Sequence, residues 1–235
     1  MTEGSAAPTA RRPPSRAALL LYRVCWTIVQ AIIRTYWRVT VEGREHIPTG
    51  GPFILAPVHR SFIDFGVVSV VTPRRLCYMG KDSLWKHPVF GRFLSALGAF
   101  PVHRGSADRD ALRQCIAVIE GGEALVLFPE GTRRVGPVVE DLWEGAAYVA
   151  TRTGAPIVPV GIGGSERALP KGKRVPRSVK VHVVVGPPIM PPPLEEGRRP
   201  SRRARHELTE QLRADVQRLF DEAQARVNQG AGRAV

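Results

Sequence analysis

Short apolar runs alternate with longer helical patterns through most of the chain, and this alternation constrains the fold more than any other feature. Helical patterns span residues 64–71, 83–97, 107–120 and 139–153. Between most of them lie seven short hydrophobic runs typical of buried strands, at 39–42, 53–58, 75–79, 100–103, 124–128, 157–161 and 180–185. The alternation predicts an α/β fold with a largely parallel sheet flanked by helices.

The N-terminal region has a different pattern. Residues 1–15 are rich in Pro and Arg and predict a disordered tail, whereas residues 16–38 are mostly apolar. Within that segment the polar residues recur at helical spacing and form one stripe, consisting of Arg23, Thr27, Gln30, Arg34 and Arg38. A central arginine costs about 2.5–3.5 kcal/mol in a membrane span. We therefore expect an amphipathic helix lying in a membrane interface. The alternatives are a true span and a helix packed on the protein's own core.

The rest of the chain divides into two parts. Residues 39–190 form the predicted α/β domain, and residues 191–235 a linker followed by a C-terminal helix, which starts near residue 201. One face of that helix is apolar and carries Leu208, Leu212, Val216, Leu219 and Phe220. This face predicts packing against the domain.

The net charge of +13 is concentrated in two segments. Residues 1–38 hold six Lys or Arg against one acidic residue, and residues 165–205 hold eleven against three. The remaining segments nearly cancel, so we expect one face of the protein to meet an anionic membrane surface. Nucleic acid is the competing partner, but the chain has no nucleic-acid motif and no interleaving of basic with aromatic residues. We therefore expect no nucleic-acid partner.

Cysteine and histidine usage argues against a metal site. The three cysteines contain no C-x-x-C pair, and the six histidines form no H-E-x-x-H or similar ligand spacing. Reduced thiols in a cytosolic compartment fit this pattern best. The chain also lacks the G-x-S-x-G motif of ordinary serine hydrolases. The sequence predicts a protein without a metal or other cofactor.

A histidine and an aspartate five residues apart follow the apolar run at 53–58. His59 stands where a strand gives way to a loop, and Asp64 stands in the first turn of the next helix. In this position the carboxylate can accept the proton of one ring nitrogen and leave the other nitrogen free as a general base. The plainer interpretation is an Asp64 that caps the helix and a histidine that packs in the core. This segment alone does not choose between them.

A second polar turn follows the apolar run at 124–128. It reads Pro129-Glu130-Gly131-Thr132-Arg133-Arg134 and carries two guanidinium groups. A buried strand, a glycine turn and an arginine together indicate an anion-binding site.

The two motifs together resemble those of a known family. The H-x-x-x-x-D element at His59 and the F-P-E-G-T-R element at 128–133, in this order and about seventy residues apart, are similar to those of glycerolipid acyltransferases. Within that family, the motifs resemble specifically the 1-acyl-sn-glycerol-3-phosphate (lysophosphatidic acid) acyltransferases of the PlsC type. Residues 98–104 resemble the family's block ending in an arginine, and residues 155–161 its late apolar block. The family usually has Asn before the histidine, where this chain has Val58.

The resemblance covers roughly residues 40–190 and implies a glycerol-3-phosphate acyltransferase-like fold, with residues 39–190 as the acyltransferase domain. It implies that His59 and Asp64 are catalytic and that Lys81 lies near the reacting carbonyl. The acceptor phosphate would be held by Arg104, Glu130, Gly131, Thr132 and Arg133.

The implied reaction moves a fatty acyl group from acyl-CoA or acyl carrier protein to the free hydroxyl of lysophosphatidic acid, giving phosphatidic acid in phospholipid biosynthesis. The acyl carrier is a co-substrate, and the expected location is the cytoplasmic face of the cell membrane, peripheral or monotopic. One alternative is an acyltransferase for another lysophospholipid or a glycolipid alcohol. The other is a non-catalytic, membrane-binding member of the fold, which Val58 favours.

Overall fold

The computed structural model describes residues 14–102, 109–193 and 201–231. In this part of the chain the strands are β1 Thr40–Glu42, β2 Ile54–Pro57, β3 Leu76–Lys81, β4 Ala99–Val102, β5 Ala124–Val126, β6 Ile157–Gly163 and β7 His182–Val185. The α-helices are α1 Arg16–Tyr36, α2 Asp64–Val67, α3 Pro88–Ala96, α4 Arg109–Glu120, α5 Gly145–Thr153, α6 Ser165–Ala168 and α7 Arg202–Ala231. Of the residues predicted to form a disordered tail, 1–13 lie outside the described ranges, whereas Ser15 caps α1 by accepting the Ala18 N–H at 3.2 Å.

All the described strands belong to one sheet, in the order β1-β7-β6-β2-β5-β3-β4. Every neighbouring pair is parallel except β6 and β7. The predicted α/β fold with a largely parallel sheet is therefore confirmed. The central strand is β2, whose Ile54 is in register with Leu125 of β5 on one side and Ile157 of β6 on the other.

Helices cover both faces of the sheet, which explains why its central strands are continuous apolar runs. Every residue of β2 and β6 is buried. The predicted apolar face of α7 is buried too. It lies so close to β6 that a Cβ at Gly161 would overlap the α7 backbone at Leu219, so only glycine fits there. The C-terminal helix is thus part of the packed core.

Several predicted helices are shorter than the sequence pattern suggests. The predicted helix at 139–153 begins only at Gly145, and the preceding residues form a loop in which the Val139 N–H donates to Gln217 Oε1 of α7 at 2.7 Å. The predicted helix at 83–97 is divided at Pro88, because the residue before a proline favours an extended backbone and His87 adopts one. The helix at 64–71 is one α-helical turn followed by a 3₁₀ turn. The short helix α6 was not predicted.

Helix α1 packs on the protein by a narrow face and leaves a wide apolar face exposed. The indole of Trp26 donates to the Ser69 carbonyl at 3.1 Å, and the buried amide of Gln30 donates to Ser69 Oγ at 3.4 Å. Gln30 therefore does not belong to the exposed polar stripe that the sequence predicts. Among the described helices, only α1 is long and apolar enough, by length and composition, to cross a membrane. The exposed apolar face includes Leu20, Val24, Ile28 and Ile32.

Candidate active site

Two neighbouring parallel strands place the two sequence motifs side by side. Strand β2 ends at Pro57, immediately before the His59 loop, and β5 ends at Val126, shortly before the turn at Glu130. Because β2 and β5 are adjacent and parallel, both loops leave the sheet at its carboxyl edge. This edge is where open α/β sheets bind ligands.

The predicted pair is formed. His59 Nδ1 lies 3.1 Å from Asp64 Oδ2, and Asp64 is fully buried. The same oxygen accepts the backbone N–H groups of Arg60 and Ser61, both at 2.7 Å. Asp64 does not cap α2, whose N-cap is Ile63 without a side-chain bond. The carboxylate instead closes the loop and fixes the imidazole, so the helix-capping interpretation is wrong.

Aromatic rings hold the imidazole from the sides. The ring centroid of His59 lies 4.1 Å from that of Phe128 and 5.3 Å from that of Phe65, the latter edge-on. No residue in the described ranges hydrogen bonds to Nε2, and the side chain remains 8% exposed. In the neutral imidazole whose Nδ1 donates to Asp64, the lone pair of Nε2 is free to accept a proton from a bound hydroxyl.

A buried ion pair lies directly behind the histidine. Arg60 Nη1 donates to Glu130 Oε1 at 2.6 Å and to Oε2 at 2.7 Å, and both side chains are fully buried. Glu130 Oε2 also accepts the backbone N–H of His59 at 2.8 Å. The sequence predicts that Glu130 contacts the acceptor, but its carboxylate is turned inward and has no exposed surface. In this arrangement Glu130 positions the His59 loop.

Sequence reasoning missed Arg60, which connects three segments. Its Nε donates to the Gly136 carbonyl at 3.2 Å and its Nη2 to the Val138 carbonyl at 3.0 Å. Nη1 also donates to the carbonyl of His59 at 3.2 Å. The guanidinium has five N–H groups, and the two on Nη1 are shared among three acceptors: the His59 carbonyl and both Glu130 oxygens. The sequence shows only an arginine beside the histidine, and nothing in its spacing reveals that the side chain points inward.

The turn after Glu130 faces outward. Gly131 has a φ of +67°, and a Cβ there would lie 2.9 Å from the indole nitrogen of Trp143. Thr132 is exposed and Arg133 is half-buried. The Arg133 carbonyl accepts a hydrogen bond from Lys171 Nζ at 3.1 Å. Glycine is required at the turn, and the next two side chains are accessible at the mouth of the site, so their role in acceptor binding stays a prediction.

The other predicted site residues lie near the same edge or outside the described ranges. Lys81 is the exposed last residue of β3, separated from β2 by β5. Arg104 lies outside the described residues, two positions beyond the end of β4. Val58 is fully buried in the sheet core. The apolar residue before His59 therefore packs in the core, while Asp64 and Glu130 orient the loop.

Comparison with known proteins identifies the class. A family model described as Acyltransferase matches residues 38–163, which is more than half of the chain. The chain belongs to the acyltransferase family and is an O-acyltransferase. The matched segment contains both motifs that meet at the sheet edge.

Particular relatives are named more specifically. A 1-acyl-sn-glycerol-3-phosphate acyltransferase of Bacillus subtilis is 28% identical over 72% of this chain and 82% of that protein. The chloroplastic enzyme LPAT1 of Arabidopsis thaliana, of the same name, is 26% identical over 67% of this chain and 45% of its own length. The crystal structure of the 1-acyl-sn-glycerophosphate acyltransferase PlsC from Thermotoga maritima aligns with a TM-score of 0.70 and 25% identity, covering 89% of this chain and 79% of that one.

Proposed function

We propose that the protein transfers a fatty acyl group from acyl-CoA or acyl carrier protein to the free hydroxyl of lysophosphatidic acid, producing phosphatidic acid. One observation carries the proposal: the His59–Asp64 pair lies at the carboxyl edge of the sheet, beside the open turn of Gly131, Thr132 and Arg133. A base and an anion-binding turn are the two elements that such a reaction needs. The names of the relatives agree with this acceptor.

The chemistry requires one base and a positioned thioester. His59 Nε2 removes the proton of the acceptor hydroxyl while Nδ1 remains bonded to Asp64, which stabilises the imidazolium. The hydroxyl oxygen attacks the thioester carbonyl, and the tetrahedral intermediate collapses with cleavage of the carbon–sulfur bond. The carrier thiolate leaves and takes the proton from His59. Proton transfer of this type contributes about 10²–10⁴-fold, so positioning supplies much of the remainder.

The acceptor phosphate is assigned to the open turn. Arginine binds phosphate through two parallel N–H groups, so Arg133, with Thr132 and the Gly131 backbone, suits this task. Arg104 is proposed as a second phosphate ligand and Lys81 as a donor to the developing oxyanion. Glu130 acts through Arg60 and the His59 backbone, as its burial requires.

Helix α1 is proposed to lie in the cytoplasmic membrane interface, peripherally or monotopically. Its exposed apolar residues would enter the acyl region, and the basic residues of segments 1–38 and 165–205 would face anionic headgroups, each contributing about 1 kcal/mol. This placement brings the site to the surface from which a lysolipid acceptor comes. Nucleic acid is not proposed as a partner, and neither is a resident metal or other cofactor.

The function is tested with purified protein, labelled acyl-CoA or acyl carrier protein, and a panel of lysolipids. We expect phosphatidic acid from lysophosphatidic acid. A preference for another lysophospholipid or a glycolipid would instead assign the broader lipid-alcohol activity. No transfer to any acceptor would favour a non-catalytic member of the fold.

The phosphate assignment has a sharper test. Arg133→Gln removes a charge-assisted contact of about 1.5–3 kcal/mol, so kcat/KM for lysophosphatidic acid should fall about ten- to over a hundredfold. With monoacylglycerol, which lacks the phosphate, the variant should lose little. Arg152→Gln, an exposed position on α5, is the control and should match the wild type with both acceptors. Equal losses of Arg133→Gln with both acceptors would mean that Arg133 maintains the loop.

A further inference from the structure

A cavity of about 440 Å³ lies beside the catalytic loop. It opens between the segment after the Gly131–Arg133 turn and the segment around α6, and its lining includes Arg134, Glu166, Arg167, Lys171 and Arg177. Its volume falls within the range of about 300–1,000 Å³ that ligand pockets occupy. The cavity is therefore large enough for more than a single small ion.

The lining concentrates positive charge. Glu166 is the acidic residue of the lining, and it accepts a hydrogen bond from Gln224 at 3.2 Å. Within the described ranges no carboxylate forms a salt bridge with Arg167, Lys171 or Arg177. Arg134 pairs with Glu140 through Nη1 at 2.9 Å, but its Nε is buried and has no hydrogen-bond partner in the described part of the chain. These donors are arranged for an anion that the protein itself does not supply.

One wall of the cavity is attached to the active site. The backbone N–H of Arg134 donates to the carbonyl of His59 at 3.0 Å, and Lys171 Nζ donates to the carbonyl of Arg133 at 3.1 Å. An anion held by Arg134 and Lys171 would therefore be linked, through these two hydrogen bonds, to the loop of the proposed base and to the proposed acceptor turn.

The opposite rim is attached to the C-terminal end of α1. Tyr36 Oη donates to the Pro176 carbonyl at 3.0 Å, and the Trp37 indole donates to the Arg177 carbonyl at 3.0 Å. Ser178 Oγ donates to the Tyr36 carbonyl at 2.7 Å. Since α1 carries the exposed apolar face, the cavity lies at the end of the surface proposed to meet the membrane.

We propose that this cavity is a second phosphate-binding site, separate from the Gly131–Arg133 turn, which holds a phosphate group of a substrate while transfer takes place. This proposal rests on the proposed function in one respect, because the substrates of that reaction supply the phosphate. Its source is either the nucleotide part of coenzyme A or a lipid headgroup. Both sources present a phosphate ester, and the cavity has room for the larger group that carries this ester.

The test measures binding to the full chain by calorimetry with two soluble probes, adenosine 3′,5′-bisphosphate and glycerol 3-phosphate. The double variant Arg167→Gln/Arg177→Gln removes two cavity charges at exposed positions, so folding should be retained. The matched control, Lys173→Gln/Arg174→Gln, removes two exposed charges from the same segment but none from the cavity lining. We expect the cavity variant to raise the Kd of at least one probe tenfold or more, and the control to change it less than twofold.

The two probes distinguish the sources of the phosphate. A selective loss for adenosine 3′,5′-bisphosphate assigns the cavity to the acyl donor, and a selective loss for glycerol 3-phosphate assigns it to a lipid headgroup. Equal losses in both double variants, unchanged binding in the cavity variant, or no binding of either probe to the wild type would overturn the proposal. Because binding is measured without turnover, failure of the lysophosphatidic acid assay alone would reject the proposed function and leave this site standing.

Discussion

At the scale of single residues, the site is organised by two carboxylates that never reach the surface. Asp64 fixes the imidazole of His59 and two backbone N–H groups, and Glu130 holds Arg60 and the His59 backbone. Both carboxylates are fully buried and therefore depend on their partners. The histidine is thus oriented from both sides before any substrate binds.

Replacing Asp64 with Asn should reduce kcat by up to about 10⁴-fold while the protein remains folded. One oxygen, Oδ2, makes the contacts to His59 Nδ1 and to both loop N–H groups. An amide oxygen in its place can keep these contacts, but it lacks the negative charge that stabilises the imidazolium formed during transfer. His59→Ala removes the base itself and should be equally inactive. Circular dichroism checks folding and acyl transfer checks kcat. A folded His59→Ala variant with more than a few per cent of wild-type turnover would refute the general-base assignment.

Glu130→Gln tests how much the buried ion pair contributes to the free energy of unfolding. The change leaves the Arg60 guanidinium buried without a counterion, which costs about 3–5 kcal/mol of unfolding free energy. The control is Glu140→Gln, which breaks the exposed pair with Arg134 and should cost less than about 1 kcal/mol. Urea unfolding measures both. Similar values for the two variants would mean that the buried pair does not hold the loops together.

At the scale of elements, α1 has two faces with separate roles. The side of the helix that carries Trp26, Gln30 and Ile33 packs on the domain, and the opposite side exposes large aliphatic residues four positions apart. The adjacent helix α3 also exposes Val89 and Phe90. Together, the exposed apolar residues of α1 and α3 form a surface of the kind that inserts into a membrane interface.

Removing residues 1–38 should release the protein from anionic vesicles and leave it prone to aggregation, because the packed face of α1 would also be lost. Ile28→Asp/Ile32→Asp is more specific, since it alters only the exposed face. Each buried aliphatic side chain contributes about 1.5–3 kcal/mol, so vesicle partitioning should fall at least tenfold. Thr27→Asp, on the polar stripe, is the control. Undiminished cosedimentation of the double variant would transfer membrane contact to segment 165–205.

A histidine joins the edge strand β1 to its neighbour β7. His182 is buried, its Nδ1 lies 2.6 Å from Thr40 Oγ1, and its Nε2 lies 3.4 Å from Glu42 Oε1. Burial lowers the pKa of His182 below its ordinary value of 6.5, and the nearby charges of Lys180 and Arg226 lower it further, against the opposing effect of Glu42. The folded protein therefore favours the neutral imidazole more than the unfolded chain does.

This lowered pKa predicts that stability falls in mild acid. As the pH drops below about 6.5, the unfolded chain takes up a proton at this histidine that the folded protein does not accept until a lower pH. The contribution is fully present above pH 6.5 and is lost as the pH falls toward the lowered folded pKa. Urea unfolding at a series of pH values should show a shallower decline for His182→Asn than for the wild type. An identical decline would contradict the assignment.

At the scale of the whole molecule, charge and chemistry are separated. The excess positive charge lies in segments 1–38 and 165–205, whereas the matched family segment, 38–163, is nearly neutral. The described residues contain no group of three His, Cys, Asp or Glu side chains that could hold a metal ion. We propose that side chains carry the reaction and that the basic segments face anionic ligands and surfaces.

Activity should therefore survive exhaustive chelation. The protein is treated with EDTA, desalted and assayed for acyl transfer, with untreated protein as the reference, and we expect unchanged kcat. Loss of activity, followed by recovery on addition of one specific divalent ion, would show that a metal participates.

The sequence by itself determined the largely parallel sheet and the apolar face of α7, whereas the His59–Asp64 pair also needed the resemblance to a known family. The sheet and the helix face follow from local patterns, namely apolar runs of strand length and apolar residues at helical spacing. Such patterns survive folding because burial of contiguous apolar residues dominates the energetics.

Only the tertiary structure decided how the remaining side chains are used. The sequence predicts that Glu130 contacts the acceptor and assigns no role to Arg60, yet the two side chains meet in the interior because β2 and β5 are neighbours. Gln30 is predicted on the polar stripe of α1 but is buried against Ser69. The start of the predicted helix at 139–153 is a loop, in which the Val139 N–H donates to Gln217. These outcomes depend on which strands lie side by side and where side chains point, and such long-range contacts leave no periodic signal in the sequence.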